Sequence, residues 1–427
     1  MKRRRMTALA TALAFLVIAL VFRIGFFAYA FYAAMLVAAI AYLMTYVSLD
    51  GLTVQRHCTM RNGEIGEEAV VTVGIRNQKP NFVPWVIMED ILSDGVTILE
   101  GANSRAMVMR PMGATTLRYR IRCDRRGYHR IGPVLFESGD FFGLTRRFVC
   151  GPDTLFITIY PKVLPIDKYS VPTHRPLGET TVRMRIFEDP TRIAGVREYQ
   201  QGDPLRRVHW KASARTGQLH SKIYEPSSVQ GANIILDFNT RSWDGSGKER
   251  RTEFACTVAA SLASHLASRG VDLGFVSNGV DAADVIDVEP ISVEVAHRDE
   301  ARQLLDRRKV SERLRPVEVA VRRGQESIML VMESLARLEL SGGFSLAEMI
   351  AREYNAWPRE DTVILIVPEL TPELGREIAR LKSTGFSVLV LMIDNPNSAP
   401  RAQAVLEGLR VPMIHLRRET DLHSIVI

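Results

Sequence analysis

The chain is poor in the residues and motifs that most enzymes need. Its 427 residues include four cysteines, Cys58, Cys123, Cys150 and Cys256, none in C-x-x-C spacing. That pattern argues against a disulfide scaffold or a structural zinc site, and fits free thiols in a reducing compartment. The nine histidines are dispersed, and neither H-E-x-x-H nor G-x-S-x-G occurs. Gly245-Ser246-Gly247-Lys248 lacks the earlier glycine of a phosphate-binding loop and runs into Glu249. His297-Arg298-Asp299 and Asp140-Phe141-Phe142-Gly143 stand in the wrong order for kinase motifs, the second with an extra Phe. No catalytic constellation supports a hydrolase or a transferase. Surplus charge is scarce too. Of the net +7, residues 1–50 carry +4, which leaves +3 on the rest. The high pI is therefore weak evidence for nucleic acid, and none is expected as a partner.

What the N-terminus does hold is apolar sequence. Residues 6–47 are almost wholly apolar, broken by Arg23 and Gly25, giving the runs Met6–Phe22 and Ile24–Val47. They read as a transmembrane helical hairpin over residues 1–50. Lys2, Arg3, Arg4 and Arg5 precede it, and Arg56, His57 and Arg61 follow. The positive-inside rule then predicts a multi-pass inner-membrane protein, its soluble domains facing the cytoplasm and its neighbours including membrane lipid. The rival is a signal peptide cleaved after Ala28-Tyr29-Ala30.

Residues 51–162 read as an all-β, sandwich-like domain. In Thr115–Asp124 the apolar Leu117, Tyr119, Ile121 and Cys123 alternate with Arg118, Arg120 and Arg122. That period of two buries one face and solvates the other. Glu68–Asn77, Trp85–Leu92, Ser104–Met109, Arg130–Phe136 and Thr154–Tyr160 are further strand candidates, with turn signals at Asn62-Gly63 and Asp94-Gly95. The arginine face has two readings, contact with anionic lipid or an acidic partner, and an ordinary solvated strand face.

Residues 163–230 form a connector punctuated by Pro165, Pro172 and Pro176. From 231 to 427 the pattern is α/β. Asn233–Phe238, Val271–Ser277, Thr362–Val367, Ser387–Ile393 and Pro412–Leu416 read as buried strands between helices at Thr252–Ser268, Pro372–Lys382 and Gln403–Leu409, with a long charged helical stretch after Ser277. Such runs predict a mostly parallel sheet covered on both faces. Ligands of these sheets bind at the carboxyl ends of the strands. That points to Asp237, Asn239, Pro368, Glu369, Asp394 and Asn395.

Asp237-Phe238-Asn239-Thr240-Arg241 stands where von Willebrand A-type domains carry D-x-S-x-S, a Mg²⁺ site. Asn239 offers an oxygen, whereas Arg241 cannot ligate and repels a cation. The site reads as degenerate, with too few oxygens for a metal, weak Mg²⁺ binding aside. No other cofactor is expected.

The densest charge lies in the connector, at Gly195–Glu225. Arg197, Arg206, Arg207, His209, Lys211, Arg215 and Lys222 surround Glu198 and Asp203, with Tyr199 and Trp210 between them. Asp203 and Pro204 read as N-cap and first residue of a short helix over Leu205–Thr216. Three uses are open: internal pairing, a receptor for an acidic partner or a phosphate-bearing ligand, and acid–base chemistry by His209 or Asp203. The candidate binding residues are Arg197, Asp203, Arg206, Arg207, His209, Trp210, Lys211 and Arg215.

The run Arg197-Glu198-Tyr199, Gly202-Asp203, Arg206, His209 to Gly217 and Leu219 closely resembles the signature of the bacterial family known as domain of unknown function 58. Arg126-Gly127-Tyr128, Ile131-Gly132-Pro133 and Asp140 to Leu144 add a second resemblance. The resemblance implies a membrane-anchored protein with a von Willebrand A-like C-terminal domain. It also implies work beside a MoxR-type AAA+ ATPase in the assembly or activation of client proteins. The family has no established catalytic residues to carry over.

Overall fold

The computed structural model describes residues 25–140, 146–151, 153–170, 188–200, 208–226, 231–285, 294–295, 297–300, 315–322, 324–359, 361–395 and 398–426. The chain divides into two units. One comprises Met1–Lys162, Val280–Arg313 and Leu335–Glu339; the other comprises Val163–Gly279, Leu314–Ser334 and Leu340–Ile427.

The first unit is an all-β, sandwich-like region. One antiparallel sheet runs in the order Leu52–Cys58, Glu68–Asn77, Ala114–Cys123, Val96–Glu100. The other is built around the long strand Gly127–Gly139, which pairs with Val83–Leu92, Arg146–Cys150 and Leu155–Tyr160. Alternation does what the sequence implied. Leu117, Tyr119, Ile121 and Cys123 are buried, while Arg118 and Arg120 are exposed and Arg122 is half-buried. The inward residues meet Val71, Val73, Ile131, Val134, Ile157 and Ile159 in one core. Arg120 faces Glu68 at 3.6 Å and Glu100 at 3.2 Å, and Arg122 faces Asp124 at 2.7 Å. The basic face is thus locally balanced, as an ordinary solvated face is.

The expected transmembrane hairpin is corrected. Its first run, Met6–Phe22, lies outside the described residues. Among the described residues no helix is long and apolar enough to cross a membrane. The helix Gly25–Ser48 overlaps the second run, but its C-terminal part serves the sandwich. Ala41, Thr45 and Ser48 are buried. Arg147 Nη1 donates to Tyr46 O at 2.6 Å and Asp50 Oδ1 at 2.8 Å, and Lys79 Nζ donates to Ser48 O at 2.8 Å. Two cations at a helix C-terminus complement its dipole. Among the described residues, 16 precede this docked part, Gly25–Ile40; a bilayer core needs roughly 20. The multi-pass inner-membrane placement and its cytoplasm-facing orientation fall with the hairpin.

The α/β expectation is corrected as well: the structure does not show a mostly parallel von Willebrand A-type sheet. The second unit holds a mixed six-stranded sheet, ordered Val317–Arg322, Asp272–Ser277, Gly231–Leu236, Thr362–Val367, Ser387–Ile393, Met413–Leu416. Its edge strand Val317–Arg322 runs antiparallel to Asp272–Ser277, whereas the inner pairs are parallel. The reason is local. Val317-Glu318-Val319-Ala320-Val321-Arg322 alternates half-buried and exposed residues, which suits an edge strand with one covered face. By its surrounding charge alone this segment reads as part of the charged helical stretch. Elsewhere the described sheets are mainly antiparallel.

Candidate functional site

Two places in the second unit carry the residues singled out by the sequence. In the first, strand Glu188–Glu198 pairs antiparallel with His220–Pro226, in register from Gly195 opposite Ile223 to Glu198 opposite His220. Between these strands lies a seven-residue helix, Trp210–Thr216. Helices this short do not form alone, because nucleation costs more than one turn returns. Here both ends are tied. His209 is the N-cap, and its Nδ1 accepts from Ala212 N at 3.0 Å. His209 N also donates to His220 O at 2.8 Å. Ser213 Oγ donates to His209 O and accepts from His220 N at 2.9 Å. Gly217 ends the helix at φ 75°, a left-handed conformation that glycine adopts without a Cβ clash.

The helix contains no buried residue, and Trp210 is 67% exposed. Lys211 and Arg215 are exposed beside it, one helical turn apart. Arg197 lies half-buried on the adjacent strand, where its Nη1 donates to Glu198 O at 3.1 Å. The structure therefore brings Arg197, His209, Trp210, Lys211 and Arg215 onto one hairpin and helix. Asp203, Arg206 and Arg207 lie outside the described residues, as does the expected cap by Asp203 and Pro204. Among the described residues the helix starts at Trp210, with His209 as its cap. Sequence reasoning missed that role because histidine is not a usual capping residue.

The second place is the carboxyl end of strand Gly231–Leu236. Asp237 is 3% exposed, and its Oδ1 accepts from Asn278 Nδ2 at 2.9 Å and Asn239 N at 3.2 Å. Burial pushes the Asp237 carboxyl above its ordinary value, against the pull of Asn278, Ser242 and Asn239. Burial, and then the Asp237 carboxylate, push Glu369 up as well, with Arg251 opposing. Asn239 Nδ2 donates to Gly343 O at 3.1 Å and Phe344 O at 2.9 Å, and its Oδ1 accepts from Arg241 N at 2.9 Å. The oxygen considered as a metal ligand is thus engaged by the backbone. Among the described residues no three His, Cys, Asp or Glu side chains gather as a ligand set. Such a donor set does not fit a hard cation, which takes about six oxygens. Asn278 and Trp243, whose Nε1 donates to Asp237 O at 2.8 Å, complete the network. Sequence reasoning passed over both. Asn278-Gly279 at a strand end was the available signal for the first. Asp394 pairs with Arg250, and Asn395 Oδ1 accepts from Ser398 N at 3.4 Å.

Residues 195–297 match the model of the family described as protein of unknown function DUF58. A relative, "Uncharacterized protein YeaD" of Bacillus subtilis (strain 168), is 27% identical over 258 residues. Both findings support membership of the DUF58 family. The YeaD alignment covers 58% of this chain and 61% of that protein, so the chain spans about three-fifths of the length of this curated relative. The DUF58 match opens at Gly195, on the hairpin, and includes the exposed helix and Asp237, Asn239, Trp243 and Asn278. Among solved structures, the CARDB domain of the PF1109 protein from Pyrococcus furiosus aligns at 13% identity and a TM-score of 0.19, covering 25% of this chain and 91% of that one. Salmonella alpha-2-macroglobulin aligns at 13% identity and a TM-score of 0.22, covering 27% and 7%. Likenesses this slight carry no argument about this chain.

Proposed function

We propose that the chain is an adaptor that docks a partner protein through its signature hairpin and helix. One observation carries the reading. The Trp210–Thr216 helix is tied down by His209, Ser213 and Gly217, yet it buries none of its own residues. Order without burial brings the chain little stability, because tertiary packing of an apolar face is what usually holds a helix. A rigid, exposed Trp flanked by cations is, by contrast, the side-chain set enriched at binding hot spots. The proposed partner is a MoxR-type AAA+ ATPase or its client, as the family resemblance implies. Assembly or activation of other proteins is the process this adaptor would serve.

The test is capture. The full chain, tagged, is incubated with a MoxR-type ATPase from the same organism, with and without nucleotide. Stable recovery that Trp210→Ala weakens at least tenfold supports the adaptor, in line with a hot-spot loss of about 1.4 kcal/mol or more. No recovery in either nucleotide condition overturns the pairing.

A further inference from the structure

The signature helix is assembled against its own electrostatic interest. Lys211 and Arg215 stand at i and i+4, where like charges repel. No acidic residue occupies the first turn, where the helix dipole would favour one. Across described residues 195–200 and 208–222 there are four Lys and Arg, at Arg197, Lys211, Arg215 and Lys222, against one acid, Glu198. Beside the cations, Trp210, Val196 at 45% and Leu219 at 47% exposure add apolar surface. A patch that repels itself and exposes an indole is complementary to something negative that carries an apolar group.

We infer that this surface receives an acidic segment of a partner protein, Asp or Glu side chains pairing with Lys211 and Arg215 while an apolar or aromatic side chain of the segment covers Trp210. The inference rests on the docking role proposed above and specifies the partner's chemistry. Lys211 and Arg215 are about 6 Å apart along the helix axis, so carboxylates one or two residues apart in an extended segment span them. Displacing water from the Trp210 face strengthens both ion pairs by lowering the local dielectric. A single-stranded nucleic acid also combines negative charge with stacking surfaces, but it needs a basic groove that tracks several phosphates. With +3 net charge beyond residue 50, the chain has little surplus for such a groove.

The experiment is fluorescence anisotropy on the full chain with defined probes. These are a labelled twelve-residue Asp/Glu peptide around one Phe, its Asn/Gln analogue, a peptide with Lys in place of the acids, oligo-uridine and inorganic phosphate. Expected is saturable binding of the acidic peptide. It weakens about tenfold when salt shortens the screening length from roughly 10 Å at 0.1 M to a few ångströms near 1 M. Trp210→Ala and the double variant Lys211→Glu with Arg215→Glu should each lose tenfold or more, and the double variant should bind the Lys peptide instead. Thermal melts of both variants should match the parent, since Trp210, Lys211 and Arg215 are all exposed.

Equal binding of the Asn/Gln analogue overturns the inference, and so does an affinity that neither variant changes. Tighter binding of oligo-uridine reassigns the surface to nucleic acid, and displacement of the peptide by millimolar phosphate reassigns it to a small anion; each overturns the inference. The outcome is separable from the adaptor test. ATPase capture through Trp210 without acidic-peptide binding defeats this inference alone, and peptide binding without ATPase capture defeats the ATPase pairing alone.

Discussion

The cluster around Arg56 in the sandwich and the cluster around Lys211 on the signature helix use the same side-chain chemistry in opposite settings. The Arg56 side chain is fully buried, and so is that of Asp90. Arg56 Nη2 and Nε reach the two oxygens of Asp90 at 2.6 and 3.3 Å, and Nη1 donates to Asp153 O at 2.5 Å. Tyr119 Oη donates to Asp90 Oδ2 at 2.6 Å. Burial, and then Asp90, push the Tyr119 hydroxyl far above its ordinary value, so it stays a donor. Every partner is in place, as a buried charge requires. On the signature helix Trp210, Lys211 and Arg215 are exposed, and among the described residues no carboxylate pairs with the two cations. The first cluster is finished internally; the second, on the proposed docking role, is completed by another molecule.

If that contrast is right, the largest effect comes from orphaning the buried cation. Asp90→Ala should cost about 3–5 kcal/mol in urea denaturation of the full chain, because Arg56 is left charged in the core with only the longer, partly exposed carboxylate contact to Asp153 Oδ2 at 3.4 Å. The double variant Arg56→Met with Asp90→Leu should recover most of that loss. A cost of Asp90→Ala below about 1 kcal/mol, the range of surface pairs, would erase the contrast.

A smaller effect tests how closely the core is fitted to Arg56. A Cβ on Gly132 would stand 2.4 Å from Arg56 Nη2, and the residue has φ +90°. Gly132→Ala therefore combines overpacking with backbone strain and should cost about 1–3 kcal/mol in the same denaturation measurement. A neutral result would mean that the guanidinium has room to shift.

Asp237 sharpens the comparison from the other side, as a buried carboxylate with amide and hydroxyl partners but no cation among those partners. Its carboxyl is raised above the unfolded value, so the fold prefers the protonated form. The resulting stability is present below the ordinary carboxylate range and declines as pH rises toward the raised value. One proton contributes at most about 1.4 kcal/mol per pH unit to that slope. In Asp237→Asn the decline should vanish, so the variant gains on the parent as pH rises from 4 to 7. Parallel stability curves for the two proteins would show that Asp237 ionises freely in the fold.

The sequence disclosed alternation better than it disclosed partners. Leu117 to Cys123 reads as a half-buried strand from its period of two, and the arginines between those residues do face outward. The same rule applied to Val317–Arg322 would have found the antiparallel edge strand; surrounding charge disguised it as helix. Arg56 was counted only as a flanking charge, because nothing local shows that Asp90, Asp153 and Tyr119, far away in sequence, converge on it. The helix Gly25–Ser48 was legible as apolar and helical, but its docking to Arg147 and Lys79 depends on strands folded elsewhere. At the site, the Trp210–Lys211 surface came through from composition. The His209 cap did not, since it depends on backbone geometry at the Ala212 amide.

That cap supplies the smallest and most local effect. His209→Ala removes the acceptor for Ala212 N and should cost about 1 kcal/mol of helix stability, whereas His209→Asn should restore it, asparagine being a strong N-cap. Because no residue of the helix is fully buried, neither change should move the global stability beyond about 0.5 kcal/mol. The loss should appear in amide exchange at Ala212 and Ser213, faster in His209→Ala and near normal in His209→Asn. Partner affinity should follow the exchange rates, because a frayed helix no longer holds Trp210, Lys211 and Arg215 in one arrangement and must be ordered on binding. Should His209→Ala instead lower the global stability by several kcal/mol, the signature helix would be part of the architecture like the Arg56 cluster, and the division between finished and unfinished charge would not hold.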